Sequence, residues 1–235
     1  MNTKPILLTA ALFLIPAALG AGLITETYSF TPAQIIPGDG GAPHIISLDL
    51  SGLSGSHIVN LTEVQVGLHL TGNAPVAPGW AGDMIVLLNR NGGDQTASLL
   101  NQVGVSSANS AGFSFDGWNV TLQDSALANG DIHLGQPTGT ILTGMWQPDG
   151  RSGDAFGDPL RTQMLAVFNG MSANTVWDLY LYNLGAEGDG TDMTLNSWSL
   201  NLTGDNGIAA VPEPKSWALM GAGLLALVAG RRWRR

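Results

Sequence analysis

The chain has 235 residues, 44% hydrophobic and 11% charged, with 32 glycines, 12 prolines and no cysteine. That is enough for one substantial core, and it excludes disulfides, thiolate catalysis and zinc–thiolate centres. Residues 21–214 hold three arginines (Arg90, Arg151, Arg161) against all 18 acids, a net −15 that repels phosphate backbones and excludes nucleic acid as a partner.

Met1 to Lys4 carries one cation, Ile6 to Leu19 is almost wholly apolar, and small residues follow at Ala18, Gly20 and Ala21. This order predicts a secretory signal peptide helix over residues 1–20, cleaved after Gly20. Its partners are then the secretion translocon and signal peptidase. The apolar run is short for a bilayer span, which needs about 20 residues.

Residues 21–205 read as one all-β domain, a β-sandwich of about eight or nine short strands joined by glycine-rich turns. Val64, Val66, Leu68 and Leu70 alternate with polar or small residues, the period-2 pattern of a half-buried strand. Met84 to Leu88 is a continuous apolar run followed by Asn89-Arg90-Asn91-Gly92-Gly93, a central strand entering a hairpin turn. Further strands are predicted at Phe113 and Phe115, at Met164 to Phe168, at Trp177, Leu179 and Leu181, and at Trp198, Leu200 and Leu202. The triplets at Asn60, Asn119 and Asn201 fit the glycosylation sequon but read as strand residues, because alternation produces such triplets easily.

Catalytic machinery is not evident. His44, His57, His69 and His133 stand in generic contexts, with His69 on the polar face of its strand, and Ser54 lacks the G-x-S-x-G spacing of a nucleophile elbow. The reading is therefore non-enzymatic, although two of the 18 acids could still meet as a glycosidase pair. Glu187, Asp189 and Asp192 alternate with glycine and threonine in a loop rich in oxygen ligands, a candidate calcium site. Asp149, Asp154 and Asp158 form a second such loop, and neither matches the EF-hand spacing. Trp177 and Trp198 sit at strand spacing and belong in the core, whereas Trp80 and Trp146, in Gly/Pro-rich loops, are candidate contacts for extracellular polysaccharide.

After a linker at residues 206–215, Val211-Pro212-Glu213-Pro214 keeps the backbone extended and ready to enter an enzyme cleft. Residues 216–230 carry no charge and would span about 22 Å as a helix, short of the ~30 Å bilayer core but workable if the bilayer thins. Arg231, Arg232, Arg234 and Arg235 then form a basic cytoplasmic tail, a stop that leaves the body outside. The expectation is a short C-terminal transmembrane helix on a precursor that is held briefly and then cut.

The last 25 or so residues, with Pro212-Glu213-Pro214, Trp217, a Gly/Ala/Leu stretch and the arginine cluster, closely resemble the PEP-CTERM sorting signal of bacteria. The same tail is also catalogued as an ice-binding protein C-terminal domain, a label that implies no ice binding. The resemblance implies an exosortase, a membrane cysteine transpeptidase, as the partner that reads the motif.

The body shows a second resemblance. Thr175-Val176-Trp177-Asp178-Leu179, then Gly188-Asp189-Gly190, then Leu195-Asn196-Ser197-Trp198-Ser199-Leu200 look like the C-terminal half of a P/Homo B domain, the jelly-roll module appended to proprotein convertases. Val64 to Leu70 followed by Gly82-Asp83-Met84-Ile85-Val86-Leu87 resembles a hairpin of that family. Thr175-Val176-Trp177 stands where the family has Gly-Thr-Trp, residues 123–159 match poorly, and no protease precedes the domain. The resemblance implies a jelly-roll-like sandwich without the family's catalytic setting. The resulting expectation is an exported cell-surface or extracellular-matrix protein with an adhesion or biofilm-matrix role. The alternative is a secreted carbohydrate-binding or polysaccharide-acting protein.

Overall fold

A computed structural model describes residues 22–40, 42–52, 55–72, 80–114, 116–136, 141–152, 160–185, 192–207, 220–225 and 230–231. The chain divides into two units, one comprising residues 1–22 and 208–235 and the other Leu23–Gly207. In the first unit, residues 220–225 and 230–231 are helical. Among the described residues no helix is long and apolar enough to cross a membrane. The predicted signal peptide and most of the predicted transmembrane segment lie outside the described residues.

The second unit is built from β1 (Leu23–Phe30), β2 (Gln34–Ile36), β3 (His44–Asp49), β4 (Asn60–Gly72), β5 (Met84–Arg90), β6 (Gln95–Asn101), β7 (Gly117–Leu122), β8 (Ile141–Trp146), β9 (Val176–Asn183) and β10 (Met193–Asp205). They form two sheets. One runs β1-β10-β4-β7-β8 with β2 also on β10, and the other runs β3-β9-β5-β6. All neighbouring pairs are antiparallel except β7 with β8, which is parallel.

Alternation gives β4, β5 and β10 one buried face each. Val64, Val66, Leu68 and Leu70 of β4 and Met84, Val86 and Leu88 of β5 point into a single hydrophobic cluster. Trp177, Leu179 and Leu181 of β9 and Trp198, Leu200 and Leu202 of β10 join it. Each buried Val or Leu contributes roughly 1.5–3 kcal/mol, so this shared core is what holds the two sheets together. In β10 the buried positions step by two to Leu195 and then jump to Trp198. The register against β4 shifts between Leu195 and Ser197, and that bulge re-phases the strand so that Trp198 enters the core. Trp198 is buried against Phe30, their rings stacked with centroids 5.1 Å apart.

The predicted β5 strand and hairpin are found. Asn91, Gly92 and Gly93 adopt φ of 51°, 70° and 100° and carry the chain into β6, as a tight turn after an interior strand requires. The three sequon triplets lie in β4, β7 and β10.

Other expectations are corrected. Met164 to Phe168 is not a strand, because Leu165–Phe168 forms a 3-10 helix whose first amides bond to Asp124. Phe113 belongs to no strand, though its neighbour Ser114 bridges to Trp80, and Phe115 lies outside the described residues. Val64 to Leu70 and Met84 to Leu88 are not two arms of one hairpin, since β4 and β5 belong to different sheets.

Candidate functional site

The sequence-selected residues fall in separate places. Trp80 precedes the 3-10 turn Ala81–Asp83 that leads into β5, and it is 41% exposed. Trp146 ends β8 at the margin of the other sheet, packs on the core and donates its indole N–H to the Thr143 carbonyl at 2.9 Å. The two tryptophans therefore present no common platform from one sheet. Asp192 accepts the Gly38 amide at 3.1 Å, while Glu187 and Asp189 lie outside the described residues. So do Val211, Pro212, Glu213, Pro214, Arg232, Arg234 and Arg235, with Arg231 inside a described helical residue pair.

A buried ionic cluster gathers around Asp149, the one residue of the second candidate calcium loop that is described, since Asp154 and Asp158 lie outside the described residues. Asp149 is fully buried, and its carboxylate accepts from His133 Nδ1 at 2.8 Å and from Arg151 Nη1 at 3.0 Å. Asp131 completes the ring. It takes Arg151 Nη2 at 2.8 Å on one oxygen and the His133 amide at 2.9 Å on the other. Arg161 closes the outer side, donating to the Asp149 and Pro148 carbonyls and, at 2.8 Å, to Gln147 Oε1.

His133 faces an acceptor at each ring nitrogen, because Nε2 lies 3.1 Å from the Val105 carbonyl. Burial works against its charge, but the hydrogen bond and charge of Asp149, with the Val105 carbonyl, raise its pKa above the ordinary 6.5. With both ring nitrogens engaged, His133 ties the Asp149 carboxylate to the Val105 carbonyl, and the cluster clamps strand ends and loops. The same histidine edges an open groove of about 640 Å³ lined also by Gly104, Ser106, Asn109, Phe113 and Gln136.

In sequence the β body is followed by Pro212-Glu213-Pro214, an uncharged stretch and a cluster of arginines. Residues 210–235 match the family model for the PEP-CTERM protein-sorting motif. The chain thus carries the signal of an exported protein sorted by exosortase, a membrane enzyme, from a membrane-anchored precursor.

Comparison with the curated proteins gives no match. Among solved structures, a chain of the complex between Aeromonas sobria serine protease and the chaperone ORF2 is similar at TM-score 0.43 and 16% identity, over 78% of this chain and 27% of that one. Dimeric latent PorU from Porphyromonas gingivalis is similar at TM-score 0.34 and 12% identity, over 80% of this chain and 13% of that one. The chain therefore spans under a third of the length of either.

Proposed function

We propose that this protein is an exported, non-enzymatic component of the cell surface or extracellular matrix, delivered by exosortase-dependent sorting and acting there in adhesion or matrix organisation. The observation that carries the reading is the sorting motif over residues 210–235. On this reading, signal peptidase removes residues 1–20, the segment 216–230 holds the precursor in the membrane, and the enzyme cuts near Pro212-Glu213-Pro214. The body is then a stable jelly-roll-like module related to P/Homo B domains, a view supported by the Trp177 and Leu195–Leu200 sequence patterns. A calcium ion on Glu187, Asp189 and Asp192 belongs to the same proposal, and a higher melting temperature in millimolar calcium is its test.

Mass spectrometry of the mature C-terminus checks the sorting step. In cells with the sorting enzyme the product is expected to end near Pro212, and in cells lacking it at Arg235. A product ending at Arg235 in both backgrounds overturns the reading.

A further inference from the structure

The outer face of the four-stranded sheet is a built surface that the sorting reading leaves without a role. Register places its side chains in rows across the strands. Ser47, Asp178, Asn89 and Thr96 form one row, Ile45, Tyr180, Leu87 and Ser98 the next, and Tyr182, Ile85 and Asn101 a third. Tyr180 and Tyr182 are two residues apart on β9, so their rings stand on one face about 7 Å apart along the strand. The third row opens into a groove of about 360 Å³ walled also by Gln102, Gln163 and Arg151.

Two features indicate a ligand rich in hydroxyls. Ser98 is fully buried at the edge of this groove, and its hydroxyl has no hydrogen-bond partner among the described residues. In the adjoining row the buried Asn89 Oδ1 also lacks one among the described residues. Buried polar atoms left unpaired cost about 1–3 kcal/mol each, and here two lie on neighbouring rows of one face.

Charge narrows the class further. The single cation at the groove, Arg151, is already paired with Asp149 and Asp131, and among the described residues no carboxylate lines it. On a body of net −15, a groove whose one described cation is already neutralised by its own partners is unsuited to polyanions. Tyrosine faces with amide and hydroxyl neighbours give an apolar floor and orienting hydrogen bonds, which is what a sugar ring presents in complement.

The geometry points to this groove, with Tyr182 and Gln163 as its principal contacts and the Ser98 hydroxyl beneath them, as a binding site for a neutral polysaccharide chain lying across the sheet. The proposal deepens the matrix role by naming the partner, and it relies on that reading only for meeting such a chain outside the cell.

Affinity electrophoresis of the full-length chain in a sugar-free detergent tests it, with hydroxyethylcellulose, dextran or galactomannan in the gel and alginate as the anionic comparison. Retardation by at least one neutral polymer and none by alginate is expected. Tyr182→Ala and Gln163→Ala should each weaken retardation about tenfold, the loss typical of a contact anchor, with unchanged melting temperature. Trp80→Ala and Trp146→Ala should bind as the unsubstituted chain does. If Tyr182→Ala fails to fold, Gln163→Ala and Ser98→Ala decide. No retardation by any neutral polymer, retardation by alginate alone, or retention lost only in the tryptophan variants overturns the site. None of these outcomes depends on where the C-terminus is cut, so failure of the sorting reading shows separately in the mass of the mature chain.

Discussion

At the scale of single residues, the His133–Asp149 pair is the most consequential contact that local pattern did not reveal. The partners are 16 residues apart, and Val105 lies 28 residues upstream, so no periodicity or motif marks them. Trp177 and Trp198, by contrast, were legible as core, because strand alternation with apolar neighbours already specifies which face a side chain takes. His69 was legible for the same reason, half-buried between the buried Leu68 and Leu70.

Removing one partner of a buried, hydrogen-bonded charge pair leaves the other charge uncompensated. Asp149→Asn is therefore expected to destabilise the fold by about 3–5 kcal/mol in chemical denaturation. It should also lower the His133 pKa, read by proton NMR of the imidazole. The pH dependence has a definite sign. A histidine whose pKa is higher folded than unfolded contributes stability fully below about 6.5, and that contribution is lost as pH rises through the folded value. The stability difference between the unsubstituted chain and His133→Gln should thus be largest in mild acid and shrink on the alkaline side of 6.5. A difference that grows with pH would show that Asp149 does not hold His133 charged.

Among the elements, strands whose two faces differ were readable and those without that contrast were not. β4, β5, β9 and β10 each carry a clear apolar set, whereas β8 buries only Leu142 firmly and runs parallel to β7 at a margin, where alternation is weak. Met164 to Phe168 looked like a strand because all five of its residues are apolar. What decides its conformation is a side chain about 40 residues away. Asp124 accepts the Leu165 amide at 3.0 Å and the Ala166 amide at 2.6 Å, satisfying donors that a short helix leaves open and turning the chain so that Leu165 and Phe168 reach the core. Burial lifts the Asp124 pKa, with these two amides acting against it, so the carboxylate is held at this spot by the donors it satisfies. Asp124→Ala should cost about 1 kcal/mol, the usual loss of a cap, with a larger rise in amide hydrogen exchange at Leu165 and Ala166 than elsewhere. Unchanged exchange at those two amides would mean the turn is set by its apolar contacts instead.

For the whole molecule, the charge distribution separates what the body does from how the chain is delivered. The acidic second unit and the arginine-terminated tail respond to different surroundings, because a negative body gains nothing from an anionic membrane surface while a terminal arginine cluster does. An uncharged segment of 15 residues is marginal as an anchor, so retention of the precursor must lean on the cations that follow it. Replacing Arg231, Arg232, Arg234 and Arg235 with alanine removes that stop while leaving Pro212-Glu213-Pro214 intact. The expected outcome is a drop in membrane-bound precursor and the appearance in the medium of chains still carrying residues 216–235, measured by fractionation and intact-mass spectrometry. The signal for cutting and the hold that presents it to the enzyme are then separable. Membrane retention and C-terminal trimming equal to those of the unsubstituted chain would instead assign the hold to the apolar segment alone.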